Sequence, residues 1–117
     1  MKKILYVEDN KDTAGAVKTI LANAGFEVDI AFSGKEGIKK AEKSFDLILL
    51  DIMLPDMSGW DIFSKLNAKV KTKFAFLSAI PVSKERMEEL KKAGVSDYIT
   101  KPFTKDDLVN RIKRLIE

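Results

Sequence analysis

An α/β fold, with a five-stranded parallel sheet doubly wound by helices on both faces, is predicted by three features of this 117-residue chain. Five short apolar runs recur from end to end, and each is followed by a helical pattern. One run, Leu47–Leu50, is apolar at every position, as a central strand buried on both sides requires. Ser or Thr stands three residues before Glu or Asp at several junctions, a signature of helix starts. Such alternation joins parallel strands through right-handed crossovers.

The first strand is expected over Ile4–Val7. Val17, Ile20, Leu21 and Ala24 then follow the i, i+3, i+4, i+7 spacing of one helix face, and Gly25 supplies a stop. The second strand is expected over Val28–Phe32, after which Ser33 with Glu36 reads as a capping box. Leu47–Leu50 forms the third strand, and Ser58 with Asp61 opens the helix after it. Phe74–Leu77 gives the fourth strand, followed by a helix capped by Ser83 and closed by Gly94. Tyr98–Thr100 gives the fifth, and Thr104 with Asp107 opens a last helix with Leu108, Ile112, Leu115 and Ile116 on one face. No repeat, low-complexity tract or linker interrupts the pattern, so residues 1–117 read as one domain.

With 45% apolar residues the chain can bury one ordinary core. It has no cysteine and no histidine, which excludes disulfides, thiolate or imidazole metal sites, Ser-His hydrolysis and an internal phosphohistidine. The apolar run near the N-terminus is four residues long and ends at Glu8, too short for a signal peptide or a membrane span. A soluble, cytoplasmic protein is expected. The net charge is +3, with a denser stretch at Lys65, Lys69, Lys71 and Lys73. No aromatic interleaving, zinc spacing or helix-turn-helix pattern accompanies these lysines, so they read as a solvated face and no direct nucleic-acid binding is expected.

Chemistry concentrates just after the strands. Glu8 and Asp9, Asp51, Ser78 and Lys101 each follow an apolar run, and an open parallel sheet gathers such positions along the edge where its ligands bind. Three clustered carboxylates repel and are costly to bury unless paired or bound to metal. An all-oxygen ligand set points to Mg²⁺, which shares its sites with phosphate. Glu8 and Asp9 are also compatible with capping a helix. Asp51 is less so, because the loop DIMLPDMSG holds it clear of the next helix start. A carboxylate attacks phosphorus if its charge is neutralised. Lys101 as a compact ammonium ion and Ser78 as a hydroxyl donor suit that environment.

Together the motifs VED at 7–9, LLDIMLPDMSGWD at 49–61, LSA at 77–79 and DYITKPF at 97–103 resemble those of response-regulator receiver domains of the CheY-like superfamily. The resemblance covers essentially the whole chain and implies a flavodoxin-like (βα)5 fold with strand order 2-1-3-4-5. It implies Asp51 as phosphoacceptor, Glu8, Asp9, Asp51 and the Met53 backbone carbonyl as Mg²⁺ ligands, and Lys101 as a phosphoryl contact ahead of a cis Pro102. Ser78 and Tyr98 would form a switch pair, the hydroxyl moving toward the phosphoryl group as the ring turns inward. The implied donor is a sensor histidine kinase or a histidine phosphotransfer protein. The implied effector surface is the fourth helix, fifth strand and fifth helix.

The C-terminal end is similar to receivers attached to winged-helix DNA-binding domains, which dimerise through crossed salt bridges. Asp97, Asp107 and Arg111 fit that pattern, whereas Met87 and Lys92 depart from it. A monomer or a weak phosphorylation-dependent dimer is therefore expected. Two alternatives are a pseudo-receiver working without phosphorylation, or a receiver cut from a longer transcription factor or hybrid kinase. A flavodoxin-like carrier fits less well, because VEDN places acid where a phosphate-binding loop would stand.

Overall fold

Side-chain alternation along the strands divides the core into two layers, one on each face of the sheet. In the computed structural model, which describes residues 1–117, the strands are β1 (Lys3–Val7), β2 (Glu27–Ala31), β3 (Leu47–Leu50), β4 (Lys73–Ser78) and β5 (Val95–Thr100). All pair in parallel, in the order β2-β1-β3-β4-β5. Helices α1 (Lys11–Asn23), α2 (Gly34–Lys40), α3 (Gly59–Leu66), α4 (Lys84–Ala93) and α5 (Lys105–Ile116) alternate with them. On one face Ile4, Tyr6, Leu47, Leu49 and Leu77 pack with Val17 and Leu21 of α1 and with Leu108 and Ile112 of α5. On the other Leu5, Val7, Ile48, Leu50, Phe74 and Phe76 pack with Ile62, Phe63 and Leu66 of α3 and with Leu90 of α4. All four residues of β3 are buried, in keeping with its apolar run.

The strand order reverses between β1 and β3. Connections therefore leave in opposite directions from their C-terminal ends and open a crevice there. The hydrogen-bond ladder continues one step past the strands at this edge. Glu8 N donates to Ala31 O at 2.9 Å, Asp51 N to Val7 O at 3.0 Å and Lys101 N to Ser78 O at 2.7 Å. The backbone itself thus sets Glu8, Asp51 and Lys101 side by side.

Several boundaries differ from the sequence expectation. β2 ends at Ala31, and Phe32 lies outside it, 40% exposed. β5 begins at Val95, three residues early, because Gly94 closes α4 in the left-handed region (φ 111°) and delivers the chain straight into the sheet. Polar Ser96 and Asp97 hide that start in the sequence, and the β4–β5 register shifts beside them. Of the three capping boxes, only Ser58–Asp61 is reciprocal. Ser33 and Thr104 accept from the amides of Glu36 and Asp107, but those carboxylates pair down their helices with Lys40 (3.4 Å) and Arg111 (3.5 Å) instead. Helix α1 is capped by Asn10, whose side chain accepts from Thr13 N.

Candidate metal and phosphoryl site

Glu8, Asp9 and Asp51 meet at the sheet edge, with one carboxylate oxygen of each within 4.8 Å of the others. Their environments differ. Glu8 is 1% exposed and fully engaged: Oε1 accepts from Tyr6 OH at 2.9 Å and Lys101 Nζ at 2.6 Å, and Oε2 from Asn10 N at 3.2 Å. Burial pushes its pKa up, but those three donors outweigh burial and hold it below the usual carboxylate range. Asp51 is raised, by burial first and then by the Glu8 charge, against the pull of Lys101. Its Oδ1 accepts from Ile52 N at 2.7 Å, while Oδ2 faces Lys101 Nζ at 3.4 Å. Asp9 stands exposed at the rim.

Lys101 is thus shared between two acids, bonded to Glu8 and at longer range to Asp51. Its peptide bond to Pro102 is cis. Ser78 is buried at the end of β4, where its Oγ accepts from Ile80 N at 3.2 Å. Tyr98 lies in β5 with its ring inward, 2% exposed, and its hydroxyl donates to the Ile80 carbonyl. Burial raises its pKa, and the nearby Ser78 hydroxyl pulls the other way. The ring packs with Phe76 and Trp60, and the Arg86 guanidinium of α4 lies 5.1 Å from the centre of the Trp60 ring. Aromatic contact therefore runs from beside Ser78 to α4.

Met53 sits on the rim, 69% exposed, and its backbone pairs with Ser58 across the loop. Arg111 reaches Asp97 and Asp107 within this one chain, each at 3.5 Å. Sequence reasoning missed Tyr6 as a partner of Glu8. The signal was present: residues i and i+2 of a strand share a face, and a buried tyrosine hydroxyl needs a partner. Burial and the Glu8 carboxylate push the Tyr6 pKa far up, so it serves as a neutral donor.

A family description, the response regulator receiver domain, matches residues 4–113. The transcriptional regulatory protein DltR of Streptococcus agalactiae is 40% identical over 113 residues, 95% of this chain and 50% of that protein. CusR of Escherichia coli is 40% identical over 116 residues, 97% of this chain and 51% of its own. The chain thus spans about half the length of the curated relatives it matches. Among solved structures, the receiver domain of the Francisella response regulator 1452 superposes with a TM-score of 0.90 at 33% identity, covering 99% of this chain and 97% of that one. TrrA of Thermotoga maritima, solved in complex with Mg²⁺-BeF, gives 0.84 at 31% identity over 98% and 99%. Sequence and fold agree: this chain belongs to the response-regulator receiver family of two-component signal transduction.

Proposed function

We propose that residues 1–117 act as one receiver domain that takes a phosphoryl group on Asp51 in a Mg²⁺-dependent reaction. The observation that carries the proposal is the triad of carboxylate oxygens within 4.8 Å beside a lysine. The donor set suits a hard divalent cation: oxygens only, one open acid at the rim and one carboxylate raised by burial and by the Glu8 charge. Glu8, Asp9, Asp51 and the Met53 carbonyl would hold it. When bound, Mg²⁺ supplies positive charge that keeps Asp51 ionised and offsets repulsion with an incoming phosphoryl group.

Asp51 Oδ2 is the attacking oxygen, since Oδ1 is held by Ile52 N–H. It attacks the phosphorus of a phosphohistidine on a partner kinase or phosphotransfer protein. The new bond is O–P, the P–N bond breaks, and its electron pair leaves on the imidazole nitrogen, which takes a proton from solvent. Lys101 Nζ follows the charge onto the phosphoryl oxygens, and Ser78 Oγ exchanges its Ile80 N–H contact for donation to one of them. Movement at Ser78 alters the space beside Tyr98 and, through Trp60 and Arg86, the α4–β5–α5 surface read by an effector. The domain catalyses only its own phosphotransfer and dephosphorylation, and its output belongs to whatever partner docks on that face.

Acetyl phosphate with MgCl2 tests the reading: one phosphoryl group per chain is expected, and none with EDTA. In the same preparation Mg²⁺ should raise the melting temperature, because a ligand of the native state alone stabilises it by mass action. Asp9→Ala should remove most of that rise. Equal Mg²⁺ responses from wild type and variant would place the cation elsewhere.

A further inference from the structure

Asp56 lies outside the acidic cluster, yet both of its carboxylate oxygens are committed. Oδ1 accepts from Gly34 N at 2.8 Å and Oδ2 from Lys35 N at 2.9 Å. These residues begin α2, and the first amide N–H groups of a helix have no partner within it. Ser33, the residue that caps α2, reaches only Glu36 N. The other two donors are satisfied from the loop between β3 and α3, and the two backbone bonds hold the Asp56 pKa below the carboxylate range. Contact here is close-packed as well as polar: a Cβ on Gly34 would collide with the Met57 side chain.

That loop carries the proposed acceptor at its start. Its neck is closed by Gly59 N donating to Ile52 O at 2.8 Å and by the Met53–Ser58 bridge. At Gly59 even a Cβ would collide with the Asp51 carbonyl. Met53 is held locally by the Ser58 bridge and by its N–H on Asp51 Oδ1 at 3.4 Å, and at 69% exposure it gains nothing from burial. The polar tether of the loop's outer part is Asp56, bridging to a different element of the fold.

We propose that Asp56 is a positioning residue for the cation. By pinning the loop to α2 it fixes the backbone at Met53, whose carbonyl then needs no reorganisation to join the three carboxylates. The inference rests on the Mg²⁺ reading given above. It makes the start of α2 a supporting part of the site, although α2 supplies no ligand. Groups that orient metal ligands from behind typically change affinity by about 10–100-fold when removed.

The test is calorimetric titration of the whole chain with MgCl2. Asp56→Ala should raise the Mg²⁺ Kd by about tenfold, the low end of that range. Asp56→Asn, which keeps one oxygen acceptor, should fall between variant and wild type. Lys40→Ala is the control: it removes the ion pairs that the last residue of α2 makes with Asp29 of β2 and with Glu36 one turn earlier, and touches neither Gly34 nor Lys35. It should lower the melting temperature and leave the Kd unchanged. An Asp56→Ala protein that binds Mg²⁺ as wild type does would overturn the proposal while leaving the cation site standing, as would Lys40→Ala weakening Mg²⁺ equally. Should Asp56→Ala fail to fold, a wild-type Kd in Asp56→Asn decides against the tether. If wild type itself takes up no Mg²⁺, both readings fall.

Discussion

Asp51→Asn is expected to drop labelling by acetyl phosphate to background while raising the melting temperature in the absence of metal. The amide has nearly the same shape but no anionic oxygen to attack phosphorus. The stability gain follows from the shifted carboxyl. Asp51 binds its proton more tightly in the folded chain than at the ordinary value of 3.8, because burial and Glu8 oppose its charge. Its contribution to stability is therefore most favourable below that value and declines as pH rises through the raised pKa. As pH rises above 3.8 the wild type takes on this penalty and the variant does not. At this chain length each kcal/mol recovered moves Tm by about 4 °C.

Glu8 works in the opposite sense: its stabilisation is present above its ordinary value of 4.5 and fades as pH falls through the lowered pKa. The Tm difference between Asp51→Asn and wild type should thus grow from pH 4 to pH 7. Thermal melts across that window, without metal, provide the check. A variant that melts below wild type at pH 7 would mean that the Asp51 charge is not a strained one.

Lys101→Ala should be the most destabilising substitution at the sheet edge. It leaves Glu8, whose side chain is only 2% exposed, charged without its 2.6 Å partner. Removing one member of a buried ion pair costs about 3–5 kcal/mol, and the 21% exposure of Lys101 places this case at or below the low end. Mg²⁺ should restore more stability to Lys101→Ala than it adds to wild type, because ammonium and divalent cation compete for the same carboxylates. Melting both proteins with and without MgCl2 at one concentration, about ten times the wild-type Kd, gives the comparison: mass action then adds about 1.4 kcal/mol to wild type and more to the variant. Equal increments would show that the lysine and the cation occupy independent sites.

The site was legible in the sequence because parallel topology does most of the placing. Once ILYV, LILL, FAFL and YIT are strands, whatever follows them shares an edge, and the acids, hydroxyl and lysine follow them. What stayed hidden were choices between partners of similar worth. Glu36 and Asp107 could close a capping box or an i,i+4 ion pair, and each took the ion pair. β5 reads short in the sequence because Ser96 and Asp97 near its start are polar, and the strand is set by Gly94 and pairing with β4. The Asp56 tether spans 22 residues to α2, a contact no local pattern announces. The inward Tyr98 ring depends on Phe76 and Trp60 arriving from β4 and α3, so only packing decides it.

Amide hydrogen exchange with and without beryllofluoride and MgCl2, in wild type and in Tyr98→Ala, is the most direct measurement of the claim that chemistry at Asp51 is read on the α4–β5–α5 surface. Beryllofluoride stands in for the phosphoryl group on Asp51. A coupling of a few kcal/mol is enough to shift the populations of two surface arrangements. In wild type, exchange should change at the acidic edge, in the segment after Ser78 and through Ser96–Thr100. In Tyr98→Ala the acidic edge should respond as before, and the distal segments should respond less. A wild-type response confined to the acidic edge would contradict the switch even with Asp51 fully occupied.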